Sequence, residues 1–410
     1  MKPETLFYII IVFIVVEFII EKVLSYLNVT YFKEKIPKEL QDVFDEKEYQ
    51  KSKAYQLENY RFGLVTSSIS FILILLLLFF DVFAILDQFV KNLTDNNLLQ
   101  SLFFFGILLL VSTLFSIPFS YYDTFVIEEK YGFNRSTKKL FFIDQLKSLL
   151  LPIVLGGFVI TASVCFYQLF GKNFWVYAWL VIAAFIIFIN MFYTSLIVPL
   201  FNKLKVLDEG DLRQKLETLA QKTNYDLQQI YVIDGSKRSS KANAYFTGFG
   251  SKKKVVLYDT LINDLTPDEI SAVLAHEIGH YKHKHIIINM ILSLLSIGIF
   301  LYFLSWLIDS KLLAKVLGVN EPSFHIGLLA FALLFTPVSF LIGLLTNYIS
   351  RKFEYQADSF AKKYTNSKFL ISGLKKLTKN NLSNLIPHPW YVFVHYSHPT
   401  LLQRIKNLKK

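Results

Sequence analysis

Long uninterrupted apolar runs alternate with charged segments along this chain. Seven runs stand out, at 6–26, 64–86, 98–122, 149–170, 174–201, 286–308 and 326–349. Each reaches the roughly 17–25 residues that a helix needs to cross a bilayer. Periodicity does not separate a buried helix from a spanning one, but length does. The two longest runs include interfacial turns. Between the runs lie three hydrophilic blocks: 27–63, which reads as a charged helical connector, 202–285 and 350–410. The chain therefore divides into an amino-terminal membrane region (1–201, five spans), a first soluble block (202–285), two further spans (286–349) and a second soluble block (350–410).

Within 202–285 the pattern predicts helix, strands, then helix. Asp211–Lys222 has helical spacing, and 229–233 reads as a strand ended by Asp234-Gly235. Residues 243–249 and 254–258 read as two more strands, joined by a turn at Gly250-Ser251. Thr266-Pro267-Asp268-Glu269 then opens a helix: Thr266 caps it, Pro267 suits its first position and Glu269 completes a capping box.

Composition agrees with a membrane protein. The chain has 410 residues, 53% of them hydrophobic and 40 of them Phe, with a mean hydropathy of +0.41. The segments 27–63, 123–148, 202–285 and 350–410 carry 7, 5, 13 and 12 basic residues, whereas the alternate segments carry only Lys2, Lys91, Lys172, Lys311 and Lys315. Basic residues are retained on the cytoplasmic side, so seven spans place the amino terminus outside and the carboxyl terminus inside. The net charge of +11 thus resides next to anionic headgroups and calls for no nucleic acid. The first run lacks a small-residue cleavage site and carries Glu17 and Glu21, which makes it a retained anchor. Cys165 is the only cysteine, so no disulfide framework is possible and a metal must be held by His and carboxylate.

Those ligands exist. His276-Glu277-Ile278-Gly279-His280 continues the helix that opens at Thr266, and its spacing is a zinc-protease signature. At 3.6 residues per turn His276 and His280 share a face, while Glu277 is offset by about 100°. Glu277 therefore points beside a bound ion, where a water with its pKa lowered by zinc towards ~7 would yield its proton to a general base. The plain alternative is a surface helix that holds two histidines. A second pair weighs against it: in Arg351-Lys352-Phe353-Glu354-Tyr355-Gln356-Ala357-Asp358, Glu354 and Asp358 are four residues apart, directly after the last apolar run. Two histidines and a glutamate with one open position make a common catalytic zinc site. Glu354 is the expected third ligand of one Zn2+ ion, and Asp358 the acceptor that fixes a ligating imidazole. On their own, Glu354 and Asp358 would read as a solvated helix start paired with Arg351 and Lys352.

With these motifs in place the chain resembles the type I CAAX prenyl endopeptidases, membrane zinc metalloproteases. The resemblance also rests on Ile127-Glu128-Glu129-Lys130-Tyr131-Gly132-Phe133-Asn134, Pro199-Leu200-Phe201-Asn202, Lys241-Ala242-Asn243-Ala244-Tyr245, and His388-Pro389-Trp390-Tyr391 through His398-Pro399. It extends from the third run to the end. It implies a predominantly α fold of seven transmembrane helices enclosing a chamber, with a gluzincin-like cytoplasmic domain and a small β-sheet. It further implies zinc on His276, His280 and Glu354, with Glu277 as general base. Asn243, Ala244 and Tyr245 would pair with an extended substrate, as an exposed strand edge can, and His398 and Arg404 would steady the oxyanion.

The expected activity is removal of the terminal tripeptide from prenylated CAAX proteins by attack of zinc-activated water on the peptide bond. The expected partners are a prenylated or membrane-associated substrate and the bilayer, with no oligomer required. The membrane would be a bacterial inner membrane or an endoplasmic reticulum membrane, according to the host. A broad membrane quality-control protease, and an inactive membrane scaffold, are the alternatives; the intact Glu277 argues against the scaffold. His283 and His285 read as interfacial, His388 and His395 as packing or site-building, and Glu17, Glu21, Asp81 and Asn190 as facing an interior or an interface.

Overall fold

A computed structural model describes residues 1–32, 36–227, 229–247 and 254–410. Each of the seven apolar runs lies in helix. The long helices are α1 (Pro3–Thr30), α2 (Glu46–Phe79), α4 (Asn97–Tyr122), α5 (Lys138–Phe170), α6 (Phe174–Leu196), α9 (His285–Leu307) and α10 (Phe324–Tyr364), with the shorter α3 (Val82–Leu93) between α2 and α4. Five stretches among the described residues are long and apolar enough to cross a membrane: Glu46–Phe79, Asn97–Tyr131, Lys138–Phe201, His285–Leu307 and Phe324–Tyr364. The third of these is not straight. It breaks at Gly171–Asn173, where Gly171 takes φ +52°, and α5 packs against α6 across the break.

Two boundaries differ from the sequence pattern. The run 64–86 stops at Phe79, because Asp81 adopts a left-handed conformation (φ 50°) and redirects the chain into α3. One left-handed residue is invisible to hydropathy. Helix α10 is longer than the apolar run within it: it continues without interruption through the charged segment to Tyr364. The capping box that starts α2 joins Asp45 and Glu48, so part of the charged connector and the apolar run after it form one helix.

Side chains such as Leu114, Leu169, Trp306 and Leu341 are exposed. In water so extensive an apolar surface would drive association; in a bilayer it is the lipid contact. Inside the bundle a core forms around Ile10, Phe104, Val164, Phe174, Leu304 and Ile326. At one end, His325 Nε2 and Asp87 Oδ1 lie 2.7 Å apart and both residues are buried, which ties α3 to the start of α10.

The hydrophilic blocks fold together. Helices α7 (Asp211–Lys222), α8 (Pro267–Lys282), α11 (Ser367–Asn380) and α12 (Leu401–Lys409) share a core with a four-stranded sheet. Its strands are β1 (Leu204–Val206), β2 (Ile230–Ile233), β3 (Ala244–Thr247) and β4 (Lys254–Tyr258). Their order is β1-β2-β4-β3, with β2 and β4 parallel and the other pairs antiparallel. β3 and β4 pair as the hairpin pattern predicts; the expected turn at Gly250-Ser251 lies outside the described residues. β1, three residues long, gave no alternation to read. A single core contains Leu216, Val255, Ile270, Leu274 and Ile278 from the first block and Ala361, Leu370 and Leu408 from the second.

Candidate active site

Two helices create the site by approaching each other closely. Helix α8 starts as its sequence dictates: Thr266 Oγ1 accepts from Glu269 N and the Glu269 side chain accepts from Thr266 N. Its buried face presents Ala272, Ala275, His276 and Gly279. A Cβ on Gly279 would meet Ala357 Cα at 2.9 Å, so glycine here lets α8 pack onto α10 nearly backbone to backbone. Helix α8 then ends, Lys284 turns left-handed (φ 60°) and α9 begins at His285.

The close packing brings His276, His280 and Glu354 together, with their ligand atoms all within 4.8 Å of one another. The two Nε2 atoms are 3.1 Å apart. His280 Nε2 is 3.2 Å from Glu354 Oε1, and His276 Nε2 is 3.4 Å from Glu354 Oε2. His276 and Glu354 are buried. Glu354 Oε2 is a buried oxygen without a hydrogen bond, an uncommon and costly condition for a carboxylate. Burial and the Arg404 charge oppose protonation of His276, yet Asp358 and Glu354 outweigh them and hold its pKa above the ordinary histidine value. The pocket therefore favours positive charge where three donors converge. His2Glu donors at this spacing fit a divalent metal with one position left open.

The two histidines are each held from behind. Asp358 Oδ1 lies 2.9 Å from His276 Nδ1, and Asp358 in turn accepts from Arg404 Nε (3.0 Å) and Nη2 (2.6 Å). This leaves Nε2 of His276 available to a metal. On the other side His280 Nδ1 is 3.0 Å from His285 Nδ1, while His285 Nε2 is 2.7 Å from Gln356 Oε1. Gln356 can only accept through Oε1, so His285 Nε2 donates to it, His285 Nδ1 accepts from His280, and His280 Nε2 is free to bind metal. His285 is buried and stacks on Phe353 at 4.0 Å between centroids. The sequence pattern set this histidine at an interface; its place is behind the ligands. Its position five residues beyond His280 offers no helical spacing to find it, because the helix breaks between them.

The three groups face a cleft of about 590 Å³. Glu277 lines it beside them, and residues 242–245 at the start of β3 form one wall. β3 is last in the strand order, so among the described residues its outer edge has no strand partner. Leu261, Val273, Leu370, Leu374 and Leu377 supply an apolar wall. His398 lies at the mouth with 65% of its side chain exposed, its Nε2 3.3 Å from Glu354 Oε1. Arg404 is buried, with Nε and Nη2 committed to Asp358 and Nη1 3.4 Å from Glu354 Oε2.

His388 and His395 sit elsewhere. His388 caps the helix Pro389–His395, accepting from Trp390 N, and its backbone N–H donates to Asn28 Oδ1 at 3.0 Å. His395 Nε2 is 3.4 Å from Glu21 Oε2. Both tie the second block to α1.

Comparison with known proteins identifies the family. Residues 25–203 match the family described as CAAX prenyl protease N-terminal, five membrane helices, and residues 206–410 match peptidase family M48. The CAAX prenyl protease 1 homolog of Oryza sativa subsp. japonica is 36% identical over 91% of this chain and 90% of its own. CAAX prenyl protease 1 of Saccharomyces cerevisiae is 35% identical over 97% of this chain and 93% of its own. The crystal structure of S. mikatae Ste24p superposes with a TM-score of 0.91 at 35% identity, covering 98% of each chain.

Proposed function

We propose that this chain, which belongs to peptidase family M48, is an integral-membrane zinc endopeptidase that removes the terminal tripeptide of prenylated CAAX proteins. The observation that carries this reading is the meeting of His276, His280 and Glu354 in the same cleft as the outer edge of β3. A metallopeptidase needs both a Lewis acid site and a means of holding an extended backbone beside it.

His276, His280 and Glu354 would hold the ion. Bound there, zinc supplies Lewis acidity and lowers the pKa of water towards ~7. The outer edge of β3 pairs with the substrate backbone, and residues 243–245 fix its register. The apolar wall takes the aliphatic side chains of the departing tripeptide. Glu277 removes a proton from the attacking water and returns it to the leaving amine. His398, at the mouth, donates to the oxyanion as it develops. Arg404 acts chiefly through Asp358, which it anchors, while its Nη1, 3.4 Å from Glu354 Oε2, faces the ligand set.

Seven spans, with the amino terminus outside and the cleft on the cytoplasmic side, are supported by the distribution of Lys and Arg and by the break at Gly171–Asn173. Blocks 202–285 and 350–410 make one gluzincin-like domain on the strength of their shared core. The test is turnover of farnesylated and unmodified CAAX peptides by pure protein, each with a chelator control. Strong preference for the farnesylated peptide is expected. Equal turnover of both would remove the prenyl group from the reading, and chelator-resistant cleavage would remove the metal.

A further inference from the structure

The stretch Ile127-Glu128-Glu129-Lys130-Tyr131-Gly132-Phe133-Asn134 contains no metal ligand and does not line the cleft, yet it contacts the segment that leads into the cleft wall. Helix α4 ends in a π-helical turn, Asp123–Glu128, a rare distortion that is frequent at functional sites. Beyond it Gly132 turns left-handed (φ 85°), and the chain runs antiparallel to residues 238–240. Asn134 bridges Ser239, Arg135 N–H donates to Arg238 O at 3.0 Å, and Ser240 N–H donates to Phe133 O at 3.0 Å.

Side chains lock this pairing. Lys241 Nζ lies 2.7 Å from Glu128 Oε2, donates to Tyr55 Oη at 2.9 Å, and sits over the Phe133 ring at 4.4 Å. Tyr55 donates to Glu128 as well. Glu128 ends the π-turn, Tyr55 belongs to α2, and Lys241 immediately precedes Ala242, the first residue of the cleft wall. Arg238 adds a two-pronged contact to Asp144 of α5 (2.7 and 2.9 Å). Three membrane-region helices thus grip residues 238–241, three to six positions before β3.

We infer that the Glu128–Lys241–Tyr55 cluster is a positioning clamp, through which the membrane region sets the edge strand at the height where substrate backbone must pair. These groups do not touch the metal ligands, so the clamp acts on substrate binding and leaves the metal site intact. The inference rests on the reading of β3 as the substrate-pairing edge.

The experiment uses the full-length enzyme in detergent or liposomes, with Glu128→Gln, Lys241→Met and the exchanged pair Glu128→Lys/Lys241→Glu. A misplaced strand costs alignment, so each single variant is expected to raise KM for a farnesylated CAAX peptide about ten-fold, with kcat within about two-fold. Zinc content stays at the wild-type level. Hydrogen exchange at the β3 amides accelerates in both single variants, and the exchanged pair recovers most of the KM. Should a variant fail to fold, Tyr55→Phe, which removes one hydroxyl, shifts KM the same way by less. Unmoved KM and unmoved β3 exchange in folded single variants would overturn the clamp. Loss of zinc together with kcat would make the cluster merely structural and would overturn it equally. Faster β3 exchange with unmoved KM would leave the strand clamped but not substrate-pairing, which contradicts the reading beneath it.

Discussion

Gly279 of the pentad lies against Ala357, so close that a Cβ on Gly279 would come within 2.9 Å of Ala357 Cα and 3.1 Å of its carbonyl oxygen. Two histidines on one helix and a glutamate on another converge because the backbones can approach this far. Alanine at 279 would gain about 1 kcal/mol of helix propensity. The atoms it meets are the Ala357 backbone and Phe360 Cβ, which cannot swing aside, and overpacking of this kind costs about 1–3 kcal/mol. Gly279→Ala is expected to lower Tm and to weaken zinc retention together, measured by thermal unfolding and by zinc release to a competing chelator. An unchanged zinc affinity would detach the helix approach from the metal site.

Glu354 and Asp358 share a face of α10 but are expected to fail differently. Glu354→Ala removes a ligand and should yield protein without stoichiometric zinc. Asp358→Asn keeps the three ligands but loses the charge that holds His276 Nδ1 and Arg404. Changes behind a ligand typically cost 10–100-fold in metal affinity, so about that loss is expected, measured by chelator competition. Equal zinc content in Glu354→Ala and wild type would contradict the ligand assignment.

His285 supports His280 from behind. Its replacement by alanine leaves His280 Nδ1 without its partner and opens space beside Phe353. A loss of about ten-fold or more in zinc affinity is expected for His285→Ala, whereas His283→Ala, on the exposed side of the same break, should leave it unchanged. Zinc affinity equal in both variants would refute the hydrogen-bond relay through Gln356.

What could be read in advance follows the range over which each feature is encoded. The capping box at Thr266 and Glu269, the shared face of His276 and His280, and that of Glu354 and Asp358 are local repeats of helical spacing. The approach of α8 to α10 is not local: it depends on Gly279 meeting Ala357, 78 positions away in the numbering, and spacing along one helix says nothing of it. Single left-handed residues escaped the pattern as well. Asp81 shortens a span and Lys284 separates His280 from His285 in register. The π-turn before Glu129 has the composition of ordinary helix, and β1 is too short to alternate. The role of His285 therefore emerges only with the fold.

In the proposed mechanism Glu277 moves the proton while His276, His280 and Glu354 hold the metal. This mechanism is tested most directly by purifying Glu277→Ala and measuring zinc content and peptide cleavage on the same sample. Zinc equal to wild type and cleavage reduced by about 10²–10⁴-fold are expected, the span usual for loss of a general base. Cleavage at the wild-type rate with zinc still bound would contradict the mechanism.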